Sequence, residues 1–358
     1  MPAISAPATV LVTGANGYIG LWAVLALLTR GYTVHGAVRS ARKVAALEAL
    51  VARKQPEAKD RFKGYVVEDI TADGAFDEAL KGANGVIHTA SPISSSSDEP
   101  ESFIKPAVKG TLSILESALR TPSVKRVVVV SSVKALSSES DVPPRTYTEE
   151  DWNENAVRIV EAQGRSAPNG TKYDASKALA QRAAWDFLEN HKSEAAFDLT
   201  VVNPAWVFGP VADDTLASPS SLPGTPLHLY NTLFAPDRPP LKDRTPVCTN
   251  FVHIGDITEI LVRSLELPEA GGEQFIANAC ISTWAQWLLA NQTLNLVPTL
   301  EHIDPAVAEA PCPPHAYFAN DKSKRFFGIE YRGVRETLKD AVEDYRVRGW
   351  LKHLGLEP

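Results

Sequence analysis

Cysteine is scarce in this chain of 358 residues: Cys248, Cys280 and Cys312 lie far apart, with no CxxC pair and no histidine at ligand spacing. Such a set suggests neither a disulfide framework nor a zinc site, and the thiols read as reduced, with no metal expected. Basic blocks are also missing, and the formal charge is -7. Without a basic stripe the chain lacks the electrostatic footprint that a phosphate backbone requires, so nucleic acid is not an expected partner. No apolar run reaches membrane-spanning length, and no charged leader precedes one, because residues 8–20 already read as folded structure. The expectation is a cytoplasmic protein with no membrane partner, in which the sequons at Asn169 and Asn291 are chance matches. No repeat of solenoid length is present.

What is present is the apolar and charged mix of an ordinary globular protein. From Thr9 onward, short β-branched runs alternate with helical patterns, the mark of βαβ units and a parallel sheet. Strands are expected at 9–12, 33–38, 64–67, 85–88, 126–130 and 199–202, with helices at 17–29, 42–52, 76–81, 108–120 and 171–190. The four valines at 127–130 show no alternation, which suits a central strand covered on both faces. After Asn203 the composition changes: 212–246 is rich in Pro, Ser and Asp, strand patterns return at 250–254 and 274–277, and 305–314 is proline-rich.

The segment Thr13-Gly14-Ala15-Asn16-Gly17-Tyr18-Ile19-Gly20 follows a strand and opens a helix. Glycines there let backbone approach a pyrophosphate at the helix N-terminus, so Gly14, Gly17 and Gly20, with Tyr18 and Ile19 in the first turn, are candidate cofactor-binding residues. Charge at the end of the second strand selects between nicotinamide cofactors, a carboxylate suiting a ribose hydroxyl and a cation suiting a 2′-phosphate. Arg39, Arg42 and Lys43 stand there with no acidic residue between Gly36 and Lys43, and Arg39 and Lys43 point to NADPH/NADP+. Asp69 and Ile70, after the third strand, are candidates to hold and cover the adenine; the other reading of Asp69 is a helix cap.

Tyr173 and Lys177 are four residues apart on an Ala- and Leu-rich helix, so they share a face, and a neighbouring ammonium is expected to bring the phenol toward the working range of an acid or base. Ser131-Ser132 ends the fifth strand, where an open α/β sheet forms its ligand crevice.

Together the TGxxGxxG spacing, the serine pair and YxxxK resemble the extended branch of the short-chain dehydrogenase/reductase superfamily, over nearly the whole chain. The stretches 69–76, 88–92, 104–111 and 130–132 are similar to dihydroflavonol reductases. Those at 149–153, 173–177 and 203–210 resemble fungal NADPH-dependent aldehyde and ketone reductases. The resemblance implies a Rossmann-type doubly wound parallel sheet with a smaller C-terminal α/β substrate-binding lobe. The nucleotide domain would span 1–205 and the lobe mainly 206–358, with about 250–280 returning to the first. It further implies Ser132, Tyr173 and Lys177 as catalytic residues, Ser131 as cofactor support, and Thr89 and Pro204 at the nicotinamide end. Ser91, Val133 and Trp206 would line the substrate pocket, although Trp206, like Phe208 and Phe251, fits pocket and core equally. The implied reaction is reduction of a small-molecule carbonyl, with Tyr173 protonating the oxygen, Ser132 donating a hydrogen bond to it and Lys177 holding the ribose and tuning Tyr173.

One departure concerns Lys105-Pro106, which occupies the place where many extended members have Asn-Pro, so a fourth catalytic residue is not evident. Other readings stay open: a sugar-nucleotide epimerase or dehydratase, a hydroxysteroid-type dehydrogenase, and a non-catalytic NADP-sensing regulator. Val133-Lys134 after Ser132 offers no acid for water elimination, and a sensor would be expected to have lost Tyr173 or Lys177. The protein is expected to be a monomer or a homodimer, a dimer being built on the helices at 108–120 and 171–190.

Overall fold

The computed structural model describes residues 4–91, 98–137, 145–312 and 316–358. Pro92, from one of the family-like stretches, and Pro313 and Pro314 of the proline-rich run lie outside the described residues. The strands are β1 Thr9–Thr13, β2 Thr33–Val38, β3 Phe62–Val66, β4 Gly85–His88, β5 Arg126–Val130, β6 Thr146–Tyr147, β7 Asp198–Pro204, β8 Trp206–Phe208, β9 Cys248–His253, β10 Gln274–Ala277, β11 Cys280–Thr283 and β12 Tyr317–Phe318. The helices that matter for the site are α1 Tyr18–Thr29, α2 Ala41–Lys54, α3 Asp77–Leu80, α4 Glu101–Leu119, α5 Glu154–Gln163 and α6 Asn169–Asn190.

The chain divides into two units, the first comprising Met1–Asp141, Tyr147–Asn203 and Thr258–Ile276. Its sheet runs in the order β10-β7-β5-β4-β1-β2-β3, the doubly wound parallel arrangement expected. Val127 and Val128 of β5 are fully buried, as a strand without alternation requires. The order has a switch point between β1 and β4, from which the loops after these two strands diverge to leave a crevice at their C-terminal ends. That crevice is where the glycine turn falls.

A buried cation pins the far side of this sheet. Arg126, fully buried at the start of β5, holds the Asp198 carboxylate through Nε at 2.6 Å and Nη2 at 2.8 Å. It also donates to the carbonyls of Ser264, Leu267 and Pro268, so β5, β7 and the chain beyond residue 258 are held by one guanidinium. Removing one partner of such a pair leaves an uncompensated buried charge, at a cost of about 3–5 kcal/mol.

Helix α4 starts at Glu101, well before the residue 108 expected from the sequence, and carries Pro106 inside it. Proline lacks only its own N–H and so removes one helical hydrogen bond, which the packing of α4 against α6 offsets. Helix α5 was not among the expected elements; Asn153 caps it, its side chain accepting from the Ala156 N–H at 2.9 Å.

The second unit takes Val142–Thr146, Pro204–Ile257 and Ala277–Pro358. Thus, of the stretch 250–280 expected to return to the nucleotide domain, Thr258–Ile276 lies in the first unit and β9 in the second. In the sheet β11-β9-β8, β8 runs parallel to β9 and β11 antiparallel to it. Its core is aromatic. Phe208 and Phe251 are fully buried with ring centroids 6.1 Å apart, which places both in the core. Trp284 and Trp287 pack on Phe208, while Trp206 is half-buried with its ring centroid 4.6 Å from that of His228. The three free cysteines, remote in sequence, converge in this unit. Burial and a hydrogen bond with Cys312 push the Cys248 thiol up to about 12.

Among the described residues no group of His, Cys, Asp and Glu forms a metal cluster, and no helix is long and apolar enough to cross a membrane.

Candidate active site

The crevice of the first unit contains a groove of about 320 Å³ lined by Gly14, Gly17, Arg39, Lys43, Ile70, Thr89 and Ser91. Thr13, Asn16, Ala37, Val38, Val67, Phe76 and Ala90 complete it, none of which the sequence had marked as a candidate. Gly14 adopts a φ of 63°, and a Cβ there would lie 3.0 Å from the Ala90 backbone. At Gly20 a Cβ would lie 2.3 Å from the Gly14 carbonyl oxygen and 2.9 Å from Thr89 Oγ1. Gly20 therefore does not line the groove but lets α1 press against the turn, and Tyr18 and Ile19 likewise stand in the helix rather than in the lining. The turn closes through the Gly17 N–H, which donates to the Gly14 carbonyl at 2.8 Å, leaving α1 to present its N-terminus.

Arg39 and Lys43 both enter the lining, Lys43 from the first turn of α2, which Ser40 caps. Ile70 is in the wall, whereas Asp69 is not. The Asp69 carboxylate accepts from the Thr71 N–H at 2.8 Å and from Thr71 Oγ1 at 2.7 Å, and these bonds hold it below the usual carboxylate range. Both bonds end on Oδ1, so Asp69 closes a local turn and leaves Oδ2 free to accept; it caps no helix, since α3 begins only at Asp77.

At the other end of the crevice stand Ser131, Ser132, Tyr173 and Lys177. Ser132 follows β5 by two residues, its hydroxyl oxygen accepting from the Lys134 N–H at 3.2 Å. Asn203 fixes this loop, donating from Nδ2 to the Ser132 carbonyl at 2.9 Å and to Gln181 Oε1 at 2.7 Å. Val133 is buried in the short turn that follows. Tyr173 and Lys177 lie one turn apart on α6, with Lys177 Nζ 5.6 Å from the Tyr173 ring centroid.

The electrostatics depart from the expectation that Lys177 would bring the phenol down. Burial, followed by Asp174, pushes Tyr173 up to about 12, while the hydrogen bond donated by Ser132 works the other way. Burial lowers Lys177 to about 8. Its Nζ donates to Ser91 Oγ at 2.9 Å. The group is thus a protonated phenol beside a lysine that titrates near neutrality. Pro204 and Trp206 fall in the second unit, at the end of β7 and in β8.

The sequence pattern of the NAD dependent epimerase/dehydratase family matches residues 10–280, from β1 to the start of β11. The chain belongs to that family. Members with similar sequence include aldehyde reductase 2 from Sporidiobolus salmonicolor, 38% identical over 252 residues that cover 69% of this chain and 71% of the relative. A ketoreductase from Aspergillus niger is 33% identical, covering 93% of this chain and 96% of its own. Among solved structures, yeast methylglyoxal/isovaleraldehyde reductase complexed with NADPH superposes with a TM-score of 0.81 at 27% identity, covering 95% of this chain and 99% of that one.

Proposed function

We propose that the protein is an NADPH-dependent reductase of aldehydes or ketones, in line with relatives named as an aldehyde reductase and a ketoreductase and with the NADPH-bound reductase structure it resembles. The observation that carries this reading is the group at the crevice end: a phenol that keeps its proton, hydrogen-bonded to Ser132, one turn from the buried ammonium of Lys177. The groove fits the cofactor by shape and charge. Its glycine turn leaves no room for a Cβ at Gly14 or Gly20, and Arg39 and Lys43 supply cations where a 2′-phosphate would lie. NADPH, when bound, supplies hydride to the carbonyl carbon.

The protein's part is to stabilise and protonate the oxygen. Ser132, its oxygen fixed by the Lys134 N–H, turns its own proton from Tyr173 to the carbonyl as charge develops there. Tyr173 then gives up the hydroxyl proton, and Lys177 stabilises the resulting phenolate. Because the phenol sits far above neutrality on its own, transfer depends on the developing alkoxide, a stronger base.

The family also includes epimerases and dehydratases. Water elimination needs a carboxyl beside the serine, and this chain has Val133, buried, and Lys134. The test is NADPH consumption against a panel of aldehydes and ketones. Turnover of at least one carbonyl compound, with NADH much poorer, is expected; turnover of none would leave only a dinucleotide-binding protein.

A further inference from the structure

Against Lys177, and sharing Ala90 and Ser91 with the groove, is a cavity of about 20 Å³ lined in part by His88, Ser91, Thr111, Ser131, Lys177 and Gln181. This is room for one water molecule, and a water is held in such a space only where it finds two to four polar partners. His88 is at the C-terminal end of β4, 3% exposed, with its ring edge-on to Phe76 and its Nδ1 2.9 Å from Thr13 Oγ1.

The hydrogen bonds around Thr13 fix the histidine's tautomer. Thr13 Oγ1 accepts from the Ala90 N–H at 3.1 Å, and among the described residues the one acceptor within reach of its hydroxyl proton is His88 Nδ1. Thr13 therefore donates to Nδ1, which puts the ring proton on Nε2 of a histidine that lines the cavity. Thr111 gives its own proton to the Ala107 carbonyl at 2.9 Å, which leaves its oxygen free to accept. Lys177 spends one N–H on Ser91 and has two left. The cavity wall thus offers two donors, Lys177 Nζ and His88 Nε2, and two hydroxyl acceptors, Thr111 and Ser131. That is the complement of one water making four bonds.

We propose that this cavity holds one water and that His88, gripping it through Nε2–H, is a positioning residue that keeps an acceptor on the ammonium of Lys177. The inference rests on the assignment of Lys177 to the reaction. Other groups do not supply this effect: Tyr173 and Asp174, the titratable neighbours on α6, do not line the cavity, and α4 and β5 contribute only the hydroxyls of Thr111 and Ser131. Among the described residues no carboxylate lines the cavity. Burial, followed by the charge of Lys177, lowers His88 to about 3, so the imidazole stays neutral through the working range and does not compete for the charge.

The first test needs no variant. In the ligand-free protein labelled with 15N-histidine, the NMR shifts of His88 should report the Nε2–H tautomer unchanged from pH 5.5 to 9; the Nδ1–H tautomer, or a titration near pH 6.5, would overturn the proposal. The second follows Lys177 by 13C NMR of labelled lysine side chains, again without cofactor, and by the pH profile of turnover. His88→Leu should lower the Lys177 midpoint by about one unit, since an apolar cavity cannot keep the water. His88→Gln, whose amide can donate in place of Nε2, should restore most of it. A rate lowered equally at every pH, with an unmoved Lys177 midpoint, would make His88 a packing residue and refute the idea. Because the NMR readings need no turnover, they stand apart from the carbonyl panel.

Discussion

Gly20→Ala should weaken NADPH binding although residue 20 does not line the groove. The new Cβ would lie 2.3 Å from the Gly14 carbonyl oxygen and 2.9 Å from Thr89 Oγ1, so one side must give by about 1 Å to reach an ordinary contact. Neither can move freely. Gly14 is backed by Ala90, whose Cα would be only 3.0 Å from a Cβ on Gly14, and Thr89 Oγ1 donates to the Thr13 carbonyl at 2.6 Å. The strain falls on the turn proposed to bind the cofactor, and overpacking of this kind costs about 1–3 kcal/mol. If most of it appears in binding, about 2 kcal/mol is roughly a thirtyfold rise in the Kd of NADPH. The assay is fluorescence titration of NADPH, with thermal unfolding to show how much of the cost falls on the fold. Gly17→Ala is the control. Its Cβ would lie 3.1 Å from the same oxygen and its φ of -78° is open to any residue, so its effect should be several-fold smaller. Equal affinities for Gly20→Ala and wild type, with no loss of Tm, would refute the close-approach argument.

Arg39→Asp should raise the Kd for NADPH far more than that for NADH, because a charge-assisted bond to the 2′-phosphate becomes a repulsion; equal effects would remove Arg39 from that role. Ser132→Ala should lower turnover by ~100-fold, in the range for losing one oxyanion donor, and Ser131→Ala by much less. Turnover should fall about tenfold per pH unit above pH 8 as Lys177 loses its proton, and a rate flat to pH 10 would contradict the assignment. Unfolding linked to this lysine cannot mimic that fall. Its folded pKa is depressed, so the unfolded chain binds more protons between pH 8 and its ordinary value of 10.5, and its contribution to stability rises across that window.

The parts of the molecule readable in the sequence are those set by local pattern. The spans of β2, β4 and β5 are those expected at 33–38, 85–88 and 126–130, because β-branched runs bounded by turn residues admit little else. The glycine turn was legible because its spacing, between a strand and a helix, has few other uses. What was not legible depends on which groups meet across the fold. Pro106 reads as a helix boundary, yet α4 runs through it because α6 packs alongside. That Asp69 commits one carboxylate oxygen to Thr71 is likewise seen only in the fold. The pairing of Tyr173 and Lys177 suggested a lowered phenol, but four-residue spacing says nothing of burial, which raises it. His88 gave no sign of its place beside Lys177, since the two lie almost ninety residues apart in the chain. The same holds for the meeting of Cys248 and Cys312.

The central claim is that the Tyr173 hydroxyl delivers the proton in carbonyl reduction, and Tyr173→Phe tests it most directly. The ring, half-buried on α6, keeps its packing, so NADPH should bind with an affinity near that of wild type. Reduction of the best aldehyde or ketone should fall by ~100-fold or more, as for loss of general acid catalysis. Lys177→Met should match that loss of turnover and weaken NADPH as well. A Tyr173→Phe protein that binds NADPH and still reduces its best substrate at near wild-type rate would show that the chemistry lies elsewhere.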